Sequence, residues 1–236
     1  MSEKIEGLFI RSTKIKHNLL IVDLLTLKHG RCSFTFHLNN KKSSSFIFQP
    51  FHFIEFSSGI NLEKKVNKGN YPALVFPVIN IISDVRKTGY AMLLTEIINK
   101  LISNQEANPK LYLTIKQMVL YFEHQPFNAV FGVFFIKELL PLFGIQPINN
   151  YNSENLCFNI EEGKFTSEEE VPEIGDFPNK AFHLLLGTKI DDVFSLNLST
   201  SNRRLIMGKL LDYMQYHDLI NKSKIKSIHI LQSIYD

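Results

Sequence analysis

Two cysteines, Cys32 and Cys157, and eight histidines are the side chains of this 236-residue chain best suited to hold a metal or attack a substrate. Their spacing does neither. There is no Cys-x-x-Cys and no His-x-x-x-His, and two cysteines cannot fill a zinc site of about four ligands. A glycine-rich phosphate loop and a G-x-S-x-G elbow are also missing. Glu162-Gly163-Lys164 has the form of the end of a metal-nuclease triad, but no aspartate occurs between Asp84 and Asp176 to complete the ligand set. Asp191-Asp192 are adjacent and do not converge on one ion. They read better as a helix N-terminal pair or a solvated turn. His217 ends a helix, where a cation is favoured for structural reasons. No catalytic residue, metal or cofactor is expected.

The remaining chemistry is charge. The formal net charge is +3, but residues 1–70 hold 11 basic and 5 acidic side chains, a balance of +6, and residues 151–200 hold 3 and 10, a balance of −7. A basic segment attracts phosphates and releases counterions on binding them. The plainer reading is compositional, since Lys outnumbers Arg 21 to 5. Apolar residues at 44% and charged residues at 21% exclude a disordered chain, and 11 Gly with 9 Pro exclude collagen-like or low-complexity sequence. No apolar run reaches the roughly 18–20 residues of a membrane helix, and the opening Met1-Ser2-Glu3-Lys4-Ile5-Glu6 is too polar for a signal peptide. A cytoplasmic protein of one or two domains is expected.

The elements come strands first, helices later. Residues 5–12 and 18–27 read as strands, and His29-Gly30 as a turn. Residues 31–37 alternate, with Cys32, Phe34 and Phe36 on one face and Ser33, Thr35 and His37 on the other. Residues 39–45 form a polar loop. Residues 51–57 alternate again, and 61–68 make a polar edge strand. Five short strands in 70 residues point to a small barrel or sandwich. From residue 80 the period changes to that of helices. One is expected over 84–102 with Ser83 as cap, a second from Asn108-Pro109 to about Glu123, and a third over 127–143, apolar nearly all round and ended by Gly144. A hairpin follows at 156–166, then Glu168-Glu169-Glu170 in a solvated loop. Further helices are expected at 179–187, at 201–217 with Thr200 or Ser201 as cap, and at 225–235.

Several short segments carry a family resemblance when taken in order. They are Glu6-Gly7-Leu8-Phe9-Ile10-Arg11-Ser12, Leu24-Leu25-Thr26-Leu27-Lys28-His29-Gly30-Arg31, Lys41-Lys42-Ser43 and Gln49-Pro50-Phe51. Together they resemble the N-terminal domain of the bacterial RecO recombination mediators. Asp84-Val85-Arg86-Lys87 through Leu94-Thr95-Glu96 is similar to the first helix of that family's central domain, and Leu142-Phe143-Gly144-Ile145-Gln146-Pro147 to its L-G-x-x-P segment. Phe158 through Phe165 resembles the hairpin of zinc-free members. Leu211-Asp212-Tyr213-Met214-Gln215-Tyr216-His217 with Ser227-Ile228-His229-Ile230-Leu231 resembles the family's C-terminal ending. One departure stands out: the paired Cys-x-x-Cys motifs of many members are replaced here by Ile148-Asn149-Asn150-Tyr151 with Cys157 nearby. Packing by Phe158, Ile160 and Phe165 is expected to stand in for the zinc.

The resemblance implies an α+β chain: an OB-fold barrel over 1–78, and a helical domain over 79–236 with the hairpin inserted near 156–166. It implies a non-catalytic recombination mediator, cytoplasmic and nucleoid-associated. Such a protein binds single- and double-stranded DNA, anneals strands, recognises the acidic tail of the single-strand-binding protein SSB, and with RecR helps load the recombinase RecA on SSB-coated DNA. The cations expected to meet phosphates are Arg11, Lys14, Lys16, Lys28, Arg31, Lys41 and Lys42, of which the Lys41-Lys42 loop pair is the foremost. Any of them is equally an ordinary solvated charge. Phe34 and Phe36 should face the core; His37 or Phe46 could stack a base, though core packing or plain exposure is the plainer reading of either. An SSB tail needs cations beside an apolar pocket, for which Arg86, Lys87, Arg203, Arg204 and the Lys222-Lys224-Lys226 stretch are candidates. A protein-interaction scaffold built on an OB-like barrel is the alternative that the helical two-thirds and the acidic 151–200 segment allow.

Overall fold

A computed structural model describes residues 2–38, 45–61, 63–102, 106–170 and 175–227. The N-terminal strands are β1 (Glu3–Lys16), β2 (Leu19–Thr26), β3 (Gly30–His37), β4 (Phe53–Ser58), β5 (Asn67–Lys68) and β6 (Asn70–Leu74). They form one sheet in the order β5-β3-β2-β1-β4-β6. Only Gly69 separates β5 from β6 in the chain, yet these two strands stand at opposite ends of that order. The sheet must therefore curl until its ends meet, as in an OB-like barrel. Gly69 continues the ladder by donating its N–H to the Thr35 carbonyl at 3.0 Å. It also lets the seam close, since a Cβ there would lie 2.3 Å from the Phe36 ring.

The alternation expected for residues 31–37 holds. Cys32, Phe34 and Phe36 are buried in a core with Val22, Leu24, Phe48 and Phe56, and the Phe34 and Phe36 rings meet Phe56 edge-on at 4.7 and 5.2 Å. Gly30 makes the expected turn, with a left-handed φ of 64°. Strand β1 runs four residues further than expected. The edge strand expected over 61–68 shrinks to β5, and β6, which holds Pro72 and so lacks one ladder donor, adds a strand beyond those expected. In β4 a second layer begins: Ile54 and Phe56 enter the barrel, but Phe53 faces outward and packs on Phe76 and Tyr112 at 5.3 and 5.6 Å.

Helices α1 (Ile79–Ser83), α2 (Val85–Leu101), α3 (Pro109–His124) and α4 (Val130–Leu139) follow. Ser83 ends α1 rather than capping α2. That cap is Asp84, whose carboxylate accepts from the Arg86 N–H at 2.8 Å. The first turn of α1 is satisfied from α3, because the buried Glu123 carboxylate accepts the N–H groups of Asn80 and Ile81 at 2.8 and 2.9 Å. Asn108 caps α3 and Pro109 opens it, as expected. Helix α4 starts at Val130, later than expected, because the Asn128 side chain accepts the Val130 N–H at 2.8 Å and holds a turn. Gly144, at φ 77°, ends the 3-10 turn that continues α4.

The hairpin is β7 (Cys157–Asn159) and β8 (Lys164–Thr166), followed by α5 (Asn179–Gly187) and α6 (Thr200–Tyr216). Ser199 caps α6, not Thr200 or Ser201. Residues 168–170 form a 3-10 turn. Of the helix expected at 225–235, residues from 228 on lie outside the described residues. The chain divides into two compact units. One holds the described residues up to Gln125 with Lys226 and Ser227, and the other is Pro126–Ile225. In the second, α4 is buried nearly all round, and the hairpin rings take the packing role expected of them. Phe158 meets Phe165, Phe182 and Tyr213 at 5.4, 4.8 and 5.7 Å, whereas Ile160 is only half-buried.

Replacing Gly69 with Ala should destabilise the barrel by about 1–3 kcal/mol, the cost of overpacking a core that cannot shift. Urea unfolding of the variant against the parent chain measures it.

Candidate nucleic-acid interface

Strand pairing sorts side chains into rows that cross the sheet. On the outer face one end is covered: Leu8, Leu25 and Phe53 share a row and are buried, with Tyr112 of α3 against Phe53. At the other end the rows are open. They run Arg11–Asp23–Ser33, then Thr13–Ile21–Thr35–Lys68, then Lys16–Leu19–His37. Register shifts in β1 after Phe9 and after Lys14 bring Arg11 and Lys16 onto this face. Residues 11–16 are all exposed, directly after the buried Leu8, Phe9 and Ile10. Arg11, Lys16, His37 and Lys68 are thus gathered on one exposed, gently apolar surface. Lys14 shares its row with Leu20 and Phe36 of the inner face and is exposed.

Asp23 lies where the covered end meets the open end. It is 5% exposed and accepts from Arg11 Nε at 2.7 Å, Arg31 Nη2 at 2.9 Å and Ser33 Oγ at 2.6 Å. Burial pushes its pKa up, but the hydrogen bonds from Ser33, Arg31 and Arg11 outweigh that, and the carboxyl sits below its usual range. Arg31 also donates from Nη1 to the Asn99 and Ile102 carbonyls, each at 3.1 Å. Its side chain is 15% exposed against 61% for Arg11. Arg31 therefore ties the sheet to the end of α2, while Arg11 keeps a free face to solvent.

The seven cations expected to meet phosphates are in this way separated. Arg11 and Lys16 share the open outer face, while Lys14, also exposed, takes a row of the inner face. Lys28 is exposed in the tight Thr26–Gly30 turn at the far end of the β2–β3 hairpin. Lys41 and Lys42 lie outside the described residues. Phe34 and Phe36 are core residues, as expected; His37 and Phe46 are exposed. Lys68 was hidden from sequence reasoning, because only its pairing with Thr35 brings it to Arg11 and Lys16.

The cations expected at a partner site also differ in their surroundings. Arg86 grips Asp84 with two nitrogens, at 3.1 and 2.8 Å, and this contact holds the Asp84 pKa at about 2. Lys87 is buried. Its Nζ donates to the carbonyls of Phe122, Glu123 and Gln125 at 2.6, 3.3 and 2.6 Å, closing the C-terminal end of α3. Burial lowers its pKa. On α6, Arg203 donates to Thr200 Oγ1 at 3.0 Å and to the Leu198 carbonyl, and Arg204 is exposed. Lys222 pairs with Asp212 at 2.6 Å, and Glu96 accepts the N–H groups of Lys226 and Ser227. Glu162 and Lys164 form an ion pair with each other at 2.6 Å. Among the described residues no three His, Cys, Asp or Glu side chains are grouped to hold a metal ion, and no helix is long and apolar enough to cross a membrane.

The family model described as "Recombination protein O C terminal" matches residues 82–224. The chain is 23% identical over 239 residues to the protein named DNA repair protein RecO in Flavobacterium psychrophilum, with 100% of both chains covered. It is 22% identical to the protein of that name in Phocaeicola vulgatus, again with 100% of both covered. To the Bacillus cereus protein of that name it is 21% identical, with 95% of this chain and 96% of the other covered.

Replacing Asp23 with Ala strands Arg31 without its anion and should cost about 3 kcal/mol. The pH dependence has a fixed sign. A carboxyl whose folded pKa is depressed adds stability that is present above its ordinary value, about 4, and lost as pH falls through the folded value. Asp23→Asn should therefore remove part of the acid limb of a stability-against-pH curve measured by urea unfolding.

Proposed function

The chain belongs to the recombination protein O family, and on that footing we propose that it acts in DNA repair and recombination as a non-catalytic mediator. The observation that carries this reading is the open outer face of the barrel, with Arg11, Lys16, His37 and Lys68 in neighbouring rows, and Lys14 exposed on the same strand as Arg11 and Lys16. Phosphates binding there release counterions, so affinity arises with little sequence preference. Single- and double-stranded DNA share that backbone and both bind. Annealing follows from the same chemistry: neutralising two strands on one basic surface removes the repulsion that keeps them apart. Arg11 can turn its exposed guanidinium to a phosphate while Asp23 keeps Arg31 and Ser33 as donors. In this reading residues 1–78 carry the DNA and residues 79–236 carry the partner contacts.

The SSB tail is acidic and ends apolar. The exposed Ile79, Ile82 and Val85, with Arg86 next in the chain, support its docking at the start of α2. Lys87 takes no part in that surface, since its ammonium is spent on α3 carbonyls. Cooperation with RecR and loading of RecA in the nucleoid complete the role. The scaffold alternative predicts partner binding with little salt-dependent DNA affinity.

The test is binding of labelled single strands and duplexes over a range of salt. The parent chain should bind both, with log K falling linearly against log salt. Lys14→Glu with Lys16→Glu, and separately Lys41→Glu with Lys42→Glu, should each weaken binding and lower that slope by up to about 2. No binding of either DNA at low salt would overturn the reading.

A further inference from the structure

Tyr71 is held in a conformation that tyrosine rarely adopts, and it buries nothing in return. Its φ is 54°, in the left-handed region, where a bulky side chain crowds the backbone and where glycine or asparagine is the usual occupant. Pro72 follows it and crowds the backbone further. Its side chain is 88% exposed, the highest value among the large apolar side chains of the described residues. Strain of this kind, held in place by the surrounding structure and unrewarded by packing, gathers at binding sites. The local cause is the seam. The pairing of β4 with β6 slips between Ser57↔Asn70 and Glu55↔Ala73, and Tyr71 sits in the slip.

The surroundings define a ligand. Lys68, three residues before Tyr71 and about 10 Å away along an extended chain, ends the open row that starts at Thr13. Lys64 and Lys65 are exposed in the turn that leads into β5. The acids nearby are Glu63, which is exposed, and Glu55, which is paired with Lys4 at 2.7 Å. An exposed aromatic ring that follows three exposed lysines within seven residues of chain fits a strand that offers flat π-faces and phosphates together. A duplex keeps its base faces stacked and hidden; a single strand does not.

We propose that Tyr71 is a base-stacking platform for single-stranded nucleic acid, with Lys64, Lys65 and Lys68 holding the adjoining phosphates. This rests on the DNA-binding reading above and gives the seam, which shares Lys68 with the β1–β3 face, a task of its own: telling a single strand from a duplex.

The experiment uses the full chain and fluorescence anisotropy with a labelled oligothymidine and a duplex of equal length. Tyr71→Gly is the main variant, because glycine relieves the left-handed strain, which offsets its greater freedom in the unfolded chain, and a melting temperature no lower than the parent's verifies that the fold is kept. It should weaken oligothymidine binding roughly 5- to 100-fold, the loss of one stacked base, and leave duplex affinity and the salt slope unchanged. Tyr71→Phe should bind as the parent does. Lys64, Lys65 and Lys68 changed together to Gln should lower the salt slope for both DNAs. Unchanged oligothymidine affinity in Tyr71→Gly, or an equal loss for the duplex, would overturn the proposal. So would loss of self-association in place of loss of binding, which would assign the ring to a second copy of the chain. Failure of the parent chain to bind either DNA would instead bring down the DNA-binding reading itself.

Discussion

A carboxylate inside a β-sheet survives only if donors surround it, and Asp23 draws on three from the two strands beside it. The arrangement organises more than its own charge. Arg31 reaches from Asp23 to the last carbonyls of α2, so compensating the acid also fixes the helix on the sheet. Arg11 reaches from the same oxygen toward water. One buried charge thus divides the outer face into a part that helices cover and a part that stays basic and open. The bulge that brings Arg11 onto this face is a local event in β1 with a consequence for the whole surface.

The inner face follows a different rule. Its phenylalanines meet edge to face, a geometry that rings prefer to flat stacking, and they leave no room for a side chain at Gly69. The hairpin of the second unit uses the same device on a smaller scale, with Phe158 at the centre of three rings. There Gly163, at φ 65°, turns the hairpin beneath the Tyr213 hydroxyl, which would lie 2.5 Å from a Cβ. Where many relatives by resemblance carry paired cysteines, this chain has built a cluster of aromatic contacts.

The strands and helices were legible wherever one face alone is buried. Residues 31–37 alternate because β3 has a core side and a wet side, and Asn108-Pro109 names its own helix start. Phe53-Ile54-Glu55-Phe56 keeps the alternation expected over residues 51–57, with Phe53 going to Tyr112 on one face and Ile54 and Phe56 to the barrel on the other. The site was legible as an excess of charge and not as a surface. Arg86 and Lys87 are adjacent and chemically alike, yet one grips its own helix cap and the other is buried under α3 carbonyls some 35 residues away. A lysine's fate depends on which backbone oxygens arrive beside it, and a single sequence does not carry that. Arg31 is the same case. Lys68 is the reverse: an unremarkable charge until parallel pairing with β3 brings it to Arg11 and Lys16.

The single-residue link at Gly69 also orders events in time. β1, β2 and β3 are joined by short turns and form from local contacts, but the stretch Asn67–Leu74 has nowhere to pair until β3 and β4 are both in place. Contacts of such long sequence separation are slow to form. Until they do, the inner face carrying Phe34, Phe36 and Phe56 stands open along one side. On the ribosome the closing segment emerges some 30 residues after β3, so the young chain carries an exposed aromatic sheet throughout that interval. The seam is therefore the point at which the barrel stops being a surface for misassociation and becomes a folded body.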